Sequence, residues 1–161
     1  MPARKRSWAE KLNDAKGLPK VGRITGKMAG RWGSKEGDTL VVPAPLEVDA
    51  LMKKVPRGKL VTINELRIAL ARQHDTTMAC PITTGIFAWI VAHAAEEARA
   101  GGSRKITPYW RTLKAGGEIN PKYPGGIPAI RKLLAAEGHK VVRKGARSFV
   151  ADYQRALAAL V

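Results

Sequence analysis

The chain has 161 residues, enough for one ordinary domain with a real core and a small N-terminal extension. Its 29 Lys+Arg against 13 Asp+Glu give a formal net charge of +16, an excess that bears on partners rather than on fold and points to a polyanion, nucleic acid first, with a solvated basic surface as the bland alternative. The one cysteine, Cys80, excludes an intramolecular disulfide and a cysteine-based zinc cluster, and no apolar stretch approaches the roughly 20 residues that span a bilayer.

The first 36 residues carry ten cations (Arg4, Lys5, Arg6, Lys11, Lys16, Lys20, Arg23, Lys27, Arg31, Lys35) against three acids (Glu10, Asp14, Glu36), punctuated by five glycines. The segment is weakly periodic apart from a short helix from Ser7 to Ala15 carrying Trp8 and Leu12, so residues 1–44 read as an irregular basic arm, partly ordered. Trp8 and Trp32 argue against simple disorder, since tryptophans bury large area and would tack the arm onto a core. Val41 to Pro45 reads as extended, because residues before prolines are pushed out of the helical region.

Residues 45–161 read as the main domain. Pro45 opens a helix with Glu47 and Asp49 in its first turn and Lys53-Lys54 at its end, an order that suits the helix dipole. After the turn Pro56-Arg-Gly-Lys59, Thr62 and Glu65 have the spacing of a capping box, and a second helix is expected from Ile63 to about Arg72. A long helix follows, with Pro81 in its first turn and an end at Gly101-Gly102. Its Ile82, Ile86, Phe87, Ile90, Val91 and Ala94 recur at three-to-four spacing and are expected in the core. Pro56 to Ala100 is thus the skeleton of a helix-turn-helix.

Pro108-Tyr109-Trp110-Arg111 comes next. Two adjacent aromatics between a proline and an arginine are an improbable surface loop, and the stretch is expected to form the floor or wall of a pocket. A Gly/Pro-rich segment ends in Tyr123-Pro-Gly-Gly126, a helix runs from Ile127 to Glu137 and stops at Gly138, and Val141 to Val150 folds into a hairpin about a Lys-Gly turn. A last helix is expected from Asp152, as its cap, to Leu160. The fold class expected is mainly α: a winged helix-turn-helix with a small β-hairpin wing and an irregular basic N-terminal arm.

The ordered series Val55-Pro-Arg-Gly-Lys-Leu-Val-Thr62, the long helix, Pro-x-x-Arg at 108–111, Tyr123-Pro-Gly-Gly126 and Leu133-Leu-Ala-Ala-Glu-Gly138 resembles the DNA-binding domain of the methylated-DNA-protein-cysteine methyltransferase family over roughly residues 45–138. The resemblance implies a winged helix-turn-helix that enters the minor groove, flips an alkylated guanine and moves its alkyl group to a cysteine in Pro-Cys-His-Arg. Here Tyr109 stands in place of the nucleophile and Trp110 in place of the activating histidine. A phenol is a poor acceptor beside a thiolate, and indole has no basic nitrogen. The family's glutamate falls at Arg131 by counting back from Leu133-Leu134, its arginine finger near Thr84, and its phosphate-turning tyrosine near Ile63.

These departures make the chain similar to the alkyltransferase-like branch, which binds alkylated DNA without repairing it and flags it for another pathway. The expected lesion or base pocket comprises Pro108, Tyr109, Trp110, Arg111, Tyr123, Gly125 and Gly126, with Tyr109 and Trp110 either stacking on a base or only filling the vacated cavity, and Arg111 bonding a phosphate or the loop's own carbonyls. The expected DNA-binding set is Arg57, Lys59, Thr62, Thr83, Thr84, Lys140, Arg143, Lys144 and Arg147.

The function expected is therefore non-catalytic binding of duplex DNA, with O-alkylated guanine as the lesion. The alternatives are a general DNA-binding protein, an active alkyltransferase using Cys80 at a helix N-terminus, and an interaction module presenting Trp8 and Trp32 to a protein. The three histidines, 74, 93 and 139, have no metal-ligand spacing, and no metal or other cofactor is expected. The expected partners are duplex DNA and a repair-pathway protein, with no membrane. The protein is expected to be soluble, unexported and monomeric in a reducing cytoplasm, nucleoid-associated in a bacterium.

Overall fold

The structure is a computed structural model that describes residues 4–160. Met1, Pro2 and Ala3 of the arm, and Val161 at the end of the main domain, lie outside the described residues.

Helix α1 spans Trp8–Asn13, with the Ser7 hydroxyl accepting the Glu10 N–H at 3.1 Å. It docks on the long helix through Trp8. The remainder of the arm is more regular than its glycine content suggested. Strands β1 (Lys20–Arg23) and β2 (Thr39–Val42) pair antiparallel, Lys20 opposite Val42, and β2 pairs in parallel with β4 (Met78–Ala79). Alternation was too short to announce these strands, and the irregular arm is corrected to two strands of a three-stranded sheet of order β1-β2-β4. Between β1 and β2 the chain makes two 3-10 turns. Their base is closed by Ile24, which donates to the Asp38 carbonyl at 2.7 Å and accepts from Gly37 at 2.8 Å.

Helix α2 (Pro45–Lys53) begins at its proline, and Glu47 accepts the Ala44 N–H at 2.9 Å. Asp49 is buried rather than merely facing the dipole. It accepts the Thr107 hydroxyl at 2.6 Å and pairs with Lys53 at 3.2 Å. Thr62 caps α3 (Ile63–Gln73) in a true capping box, its hydroxyl accepting the Asn64 N–H at 3.1 Å while Glu65 accepts the Thr62 N–H at 2.7 Å.

Helix α4 (Pro81–Ala100) is the axis of the molecule. Its Phe87, Ala88, Ile90, Val91, Ala94 and Ala95 are buried against α2, α3 and α1. Ile82 and Ile86 do not join them: they are 54% and 47% exposed. The periodicity was sound but the first two turns project beyond the core, so these two isoleucines are corrected from core to surface.

The Pro108 segment forms a 3-10 turn, Tyr109–Arg111, that runs into β5 (Thr112–Leu113), which pairs in parallel with β3 (Val61–Thr62). Helix α5 spans Gly126–Ala136. The hairpin β6 (Val141–Lys144) and β7 (Arg147–Val150) has Val141 opposite Val150 and a two-residue turn opened by Gly145 at φ 62°.

The expected C-terminal helix is absent. Asp152 sits at φ 53° without capping anything, a single 3-10 turn covers Tyr153–Ala156, and the chain then extends beside Leu60. There Leu60 donates to the Ala156 carbonyl and accepts from Ala158, both at 2.9 Å. The buried backbone of Leu60 needs partners, and only an extended segment supplies them. The fold is accordingly mixed, five helices with three small sheets among the described residues, rather than mainly α. No helix among them is long and apolar enough to cross a membrane.

Candidate nucleic-acid interface

The Pro108–Arg111 turn is held from three sides. Upstream, Thr107 is tied to Asp49 of α2; downstream, Thr112 and Leu113 are paired to β3. From the end of α5, Glu137 accepts the Trp110 indole N–H at 2.8 Å, the Arg111 guanidinium at 2.9 Å through both Nε and Nη2, and the Gly58 N–H at 3.1 Å. Burial alone would raise this carboxyl, but the bonds from Arg111, Gly58 and Trp110 hold it below its ordinary value. Arg111 completes its fork by donating to the Val55 carbonyl at 2.8 Å. Of the two expected partners of Arg111, a phosphate or a carbonyl, the structure supplies a carbonyl, that of Val55, together with the Glu137 carboxylate.

The glutamate beside Trp110 is Glu137, not the position of Arg131, which is exposed on α5. The signal was there: between residues 104 and 151 the sequence has only two acids, Glu118 and Glu137. Each meets an arginine, Glu118 accepting Arg147 at 2.8 Å.

Tyr109 is 3% exposed, edge-on to both Trp110 and Tyr123 at ring-centroid separations of 5.4 and 6.1 Å. Its hydroxyl donates to Glu96 of α4 at 3.3 Å. Burial and then the Glu96 carboxylate push the phenol up to about 12, so it stays protonated and donates. Arg99 pairs with the same Glu96, and its hydrogen bond holds that carboxyl low. Tyr123 is fully buried and its phenol is likewise pushed up by desolvation.

Trp110 is half-buried. With Tyr109, Pro124 and Gly125 it borders an open cleft of about 580 Å³ whose rim carries Arg99, Arg104 and Lys132. Gly125 adopts φ 77°, and a side chain there would run into Ala129, so the close approach of the loop to α5 requires glycine. Gly126, at φ 67°, starts α5 and does not line the cleft.

The expected DNA-binding residues divide. Arg57, Lys59, Lys140, Arg143, Lys144 and Arg147 are exposed, although Arg57 also donates to the Ala136 carbonyl at 3.1 Å and Arg143 to Gly145 at 2.8 Å. Thr62 and Thr84 are buried and are removed from the set. The first caps α3, and the second is 0% exposed with its hydroxyl on the Cys80 carbonyl at 2.6 Å. Thr83 is half-buried with its hydroxyl enclosed and unpartnered. Cys80 is buried at the start of α4, its N–H on the Val41 carbonyl at 2.9 Å, and lines no part of the Trp110 cleft. Among the described residues no cluster of His, Cys, Asp and Glu could hold a metal.

Trp8 stacks on His93 at 4.4 Å and meets Trp89 edge-on at 4.8 Å, while Glu97 accepts the N–H groups of Trp8 and Ala9 at 3.0 and 3.1 Å. It tacks the arm to α4, as its size suggested. Trp32 is half-buried under Arg31 instead.

No protein-family profile matches the chain, and no curated protein matches it significantly. Solved structures do. S. pombe Atl1 in complex with damaged DNA containing O6-carboxymethylguanine superposes with a TM-score of 0.51 at 16% identity, covering 71% of this chain and 93% of that one. A second S. pombe ATL structure, in complex with DNA, gives the same values. The chain shares the fold of Atl1. At this identity the likeness fixes architecture alone.

Proposed function

We propose that the chain is a non-catalytic member of the alkyltransferase-like branch, which binds duplex DNA through its basic face and receives an O-alkylated guanine, flipped from the stack, in the Trp110 cleft. The observation that carries this reading is the Pro108–Arg111 turn. It holds the family's architecture in place while offering no thiol and no basic ring nitrogen to the cleft: the Tyr109 phenol is spent on Glu96 and the Trp110 indole N–H on Glu137. Exposed Arg99, Arg104 and Lys132 around an aromatic-walled cleft suit a base with its phosphates. The structures of S. pombe Atl1 and ATL on DNA support the choice of ligand. Acting as a flag, the protein would work as a monomer on DNA and hand the site to a repair-pathway protein. Residues 45–161 form the DNA-binding unit, with residues 1–44 as its buttress.

The test is a titration against two duplexes differing only in an O6-alkyl group on one guanine. Tighter binding of the alkylated duplex, with no alkyl group appearing on the protein by mass spectrometry, is expected. Equal affinity would favour a general DNA-binding protein, and stoichiometric label on Cys80 would make the chain an alkyltransferase.

A further inference from the structure

The sheet of the N-terminal arm ends on an open edge. In the order β1-β2-β4, β1 pairs only with β2, and its four residues are exposed. Two bonds fix which of its backbone groups face outward. Ile24 donates to the Asp38 carbonyl across the ladder, whereas the Val41 carbonyl, opposite Val21, is turned to the other side of β2, where it accepts the Cys80 N–H at 2.9 Å. Residues of an antiparallel pair bond to the partner strand alternately, so Lys20 and Gly22 bond to β2 while the N–H and carbonyl groups of Val21 and Arg23 point away from it. These groups have no partner among the described residues, and together they form the free side of a ladder that another strand can complete.

Side chains define what kind of strand fits. Val21 lies opposite Val41 and on the same face of the sheet, yet Val41 is buried and Val21 is 57% exposed. The core-facing side of the sheet thus runs on past the core and leaves an apolar position uncovered. Around it the charge has one sign. Between Asp14 and Glu36 the chain has six cations, Lys16, Lys20, Arg23, Lys27, Arg31 and Lys35, and no acid. All six are exposed, and none forms an ion pair among the described residues.

A second copy of this chain would set Lys20 and Arg23 against their equals, which opposes pairing. The phosphates of DNA accept hydrogen bonds but donate none, so they would leave the outward carbonyls of Val21 and Arg23 unmet. We propose that the β1 edge takes up an extended acidic segment of another protein as a further strand, its backbone bonded to Val21 and Arg23, its apolar side chains on the face of Val21 and its acids on the face of Lys20. The proposal stands on the sheet and its charge and does not rest on the DNA-binding reading.

The experiment uses the full chain and a peptide of alternating glutamate and valine of about eight residues, slightly longer than a typical strand. Two controls accompany it: the same peptide N-methylated throughout, equal in charge, and a peptide of alternating lysine and valine. The glutamate peptide should bind about tenfold tighter than either control, the worth of one or more ladder hydrogen bonds in the first case. Amide exchange at Val21 and Arg23 should slow about tenfold or more when it binds. Val21→Pro removes an N–H that faces away from β2 and so spares the pairing with β2; it should bring the preference over the N-methylated peptide to about twofold or less. Where Val21→Pro does not fold, wild-type exchange at the two amides decides. Equal affinity for the glutamate peptide and either control, unchanged exchange at Val21 and Arg23, or a folded Val21→Pro that keeps the preference would overturn the proposal. So would slowing of the same amides by duplex DNA and not by the peptide, which would give the edge to nucleic acid, or slowing with protein concentration alone, which would give it to a second copy of the chain.

Discussion

Glu137 shows how one side chain can organise a site. Its side chain is 3% exposed and serves Trp110, Arg111 and Gly58 at once, so removing it leaves a partly buried guanidinium without its counterion. Glu137→Ala should cost about 3 to 5 kcal/mol in denaturant unfolding, well above the loss from an exposed ion pair. The acid dependence follows from the sign of the shift. A carboxyl lowered in the folded state contributes stability that is fully present above its unfolded value of 4.5 and is lost as pH falls through the lower folded value. Unfolding free energy measured between pH 6 and pH 3 (on the order of one unit either side of the reference pKa) should drop, and drop less in Glu137→Gln. Tyr109→Ala should act mainly on stability, at about 3 to 5 kcal/mol for a buried aromatic, whereas Trp110→Ala should act mainly on the affinity for alkylated DNA. Similar losses of stability in both would place Trp110 with the cavity fillers. The sequence located this turn through its paired aromatics. It did not say which of the two faces the cleft, because that depends on Glu96 and Glu137, which lie 13 and 27 residues away.

Among the elements, those with their own end signals were legible: Pro45 and Pro81 open α2 and α4, Thr62 and Glu65 cap α3, and Gly138 ends the region after α5. Thr62→Ala should therefore cost about 1 kcal/mol, the usual worth of an N-cap, in thermal unfolding. A negligible change would mean that pairing to β5 alone holds the start of α3. Elements whose existence depends on a distant partner were not legible. β2 has four residues and owes its form to β1 and to two residues of β4. The tail after Asp152 carries a helical composition, yet its backbone is claimed by Leu60. Helical periodicity likewise assigned Ile82 and Ile86 to one stripe with Phe87 and Ile90 without knowing where the core stops.

At the scale of the whole molecule, charge and architecture are separable. If the net charge of +16 acts on DNA, log affinity against log salt should have a steep negative slope, about −0.9 for each phosphate neutralised. Replacing Lys140, Arg143 and Lys144 of the hairpin region by glutamine should make that slope shallower by up to about three phosphates' worth. A slope near zero in the wild type would contradict the nucleic-acid reading. Deleting residues 1–36 removes β1 and Trp8 as well as ten cations, so it should lower the melting temperature in addition to weakening binding; a deletion that leaves melting unchanged would show that the arm contributes charge only. Composition announced the polyanion. The size of Trp8 announced that the basic arm would be tacked to the core, but not that Trp89 and His93 of α4 would receive it, since that depends on a contact between segments far apart in the chain.

That contact has an optical consequence. Two indoles at nearly right angles with centroids 4.8 Å apart are close enough for their excited states to couple, and a coupled pair gives a split band of opposite signs in circular dichroism that neither indole gives alone. The band would report attachment of the arm to α4 independently of helix content, and Trp8→Phe would abolish it without removing a single helical turn. The protein thus carries its own spectroscopic gauge of whether its first residues are seated, readable while DNA is being added.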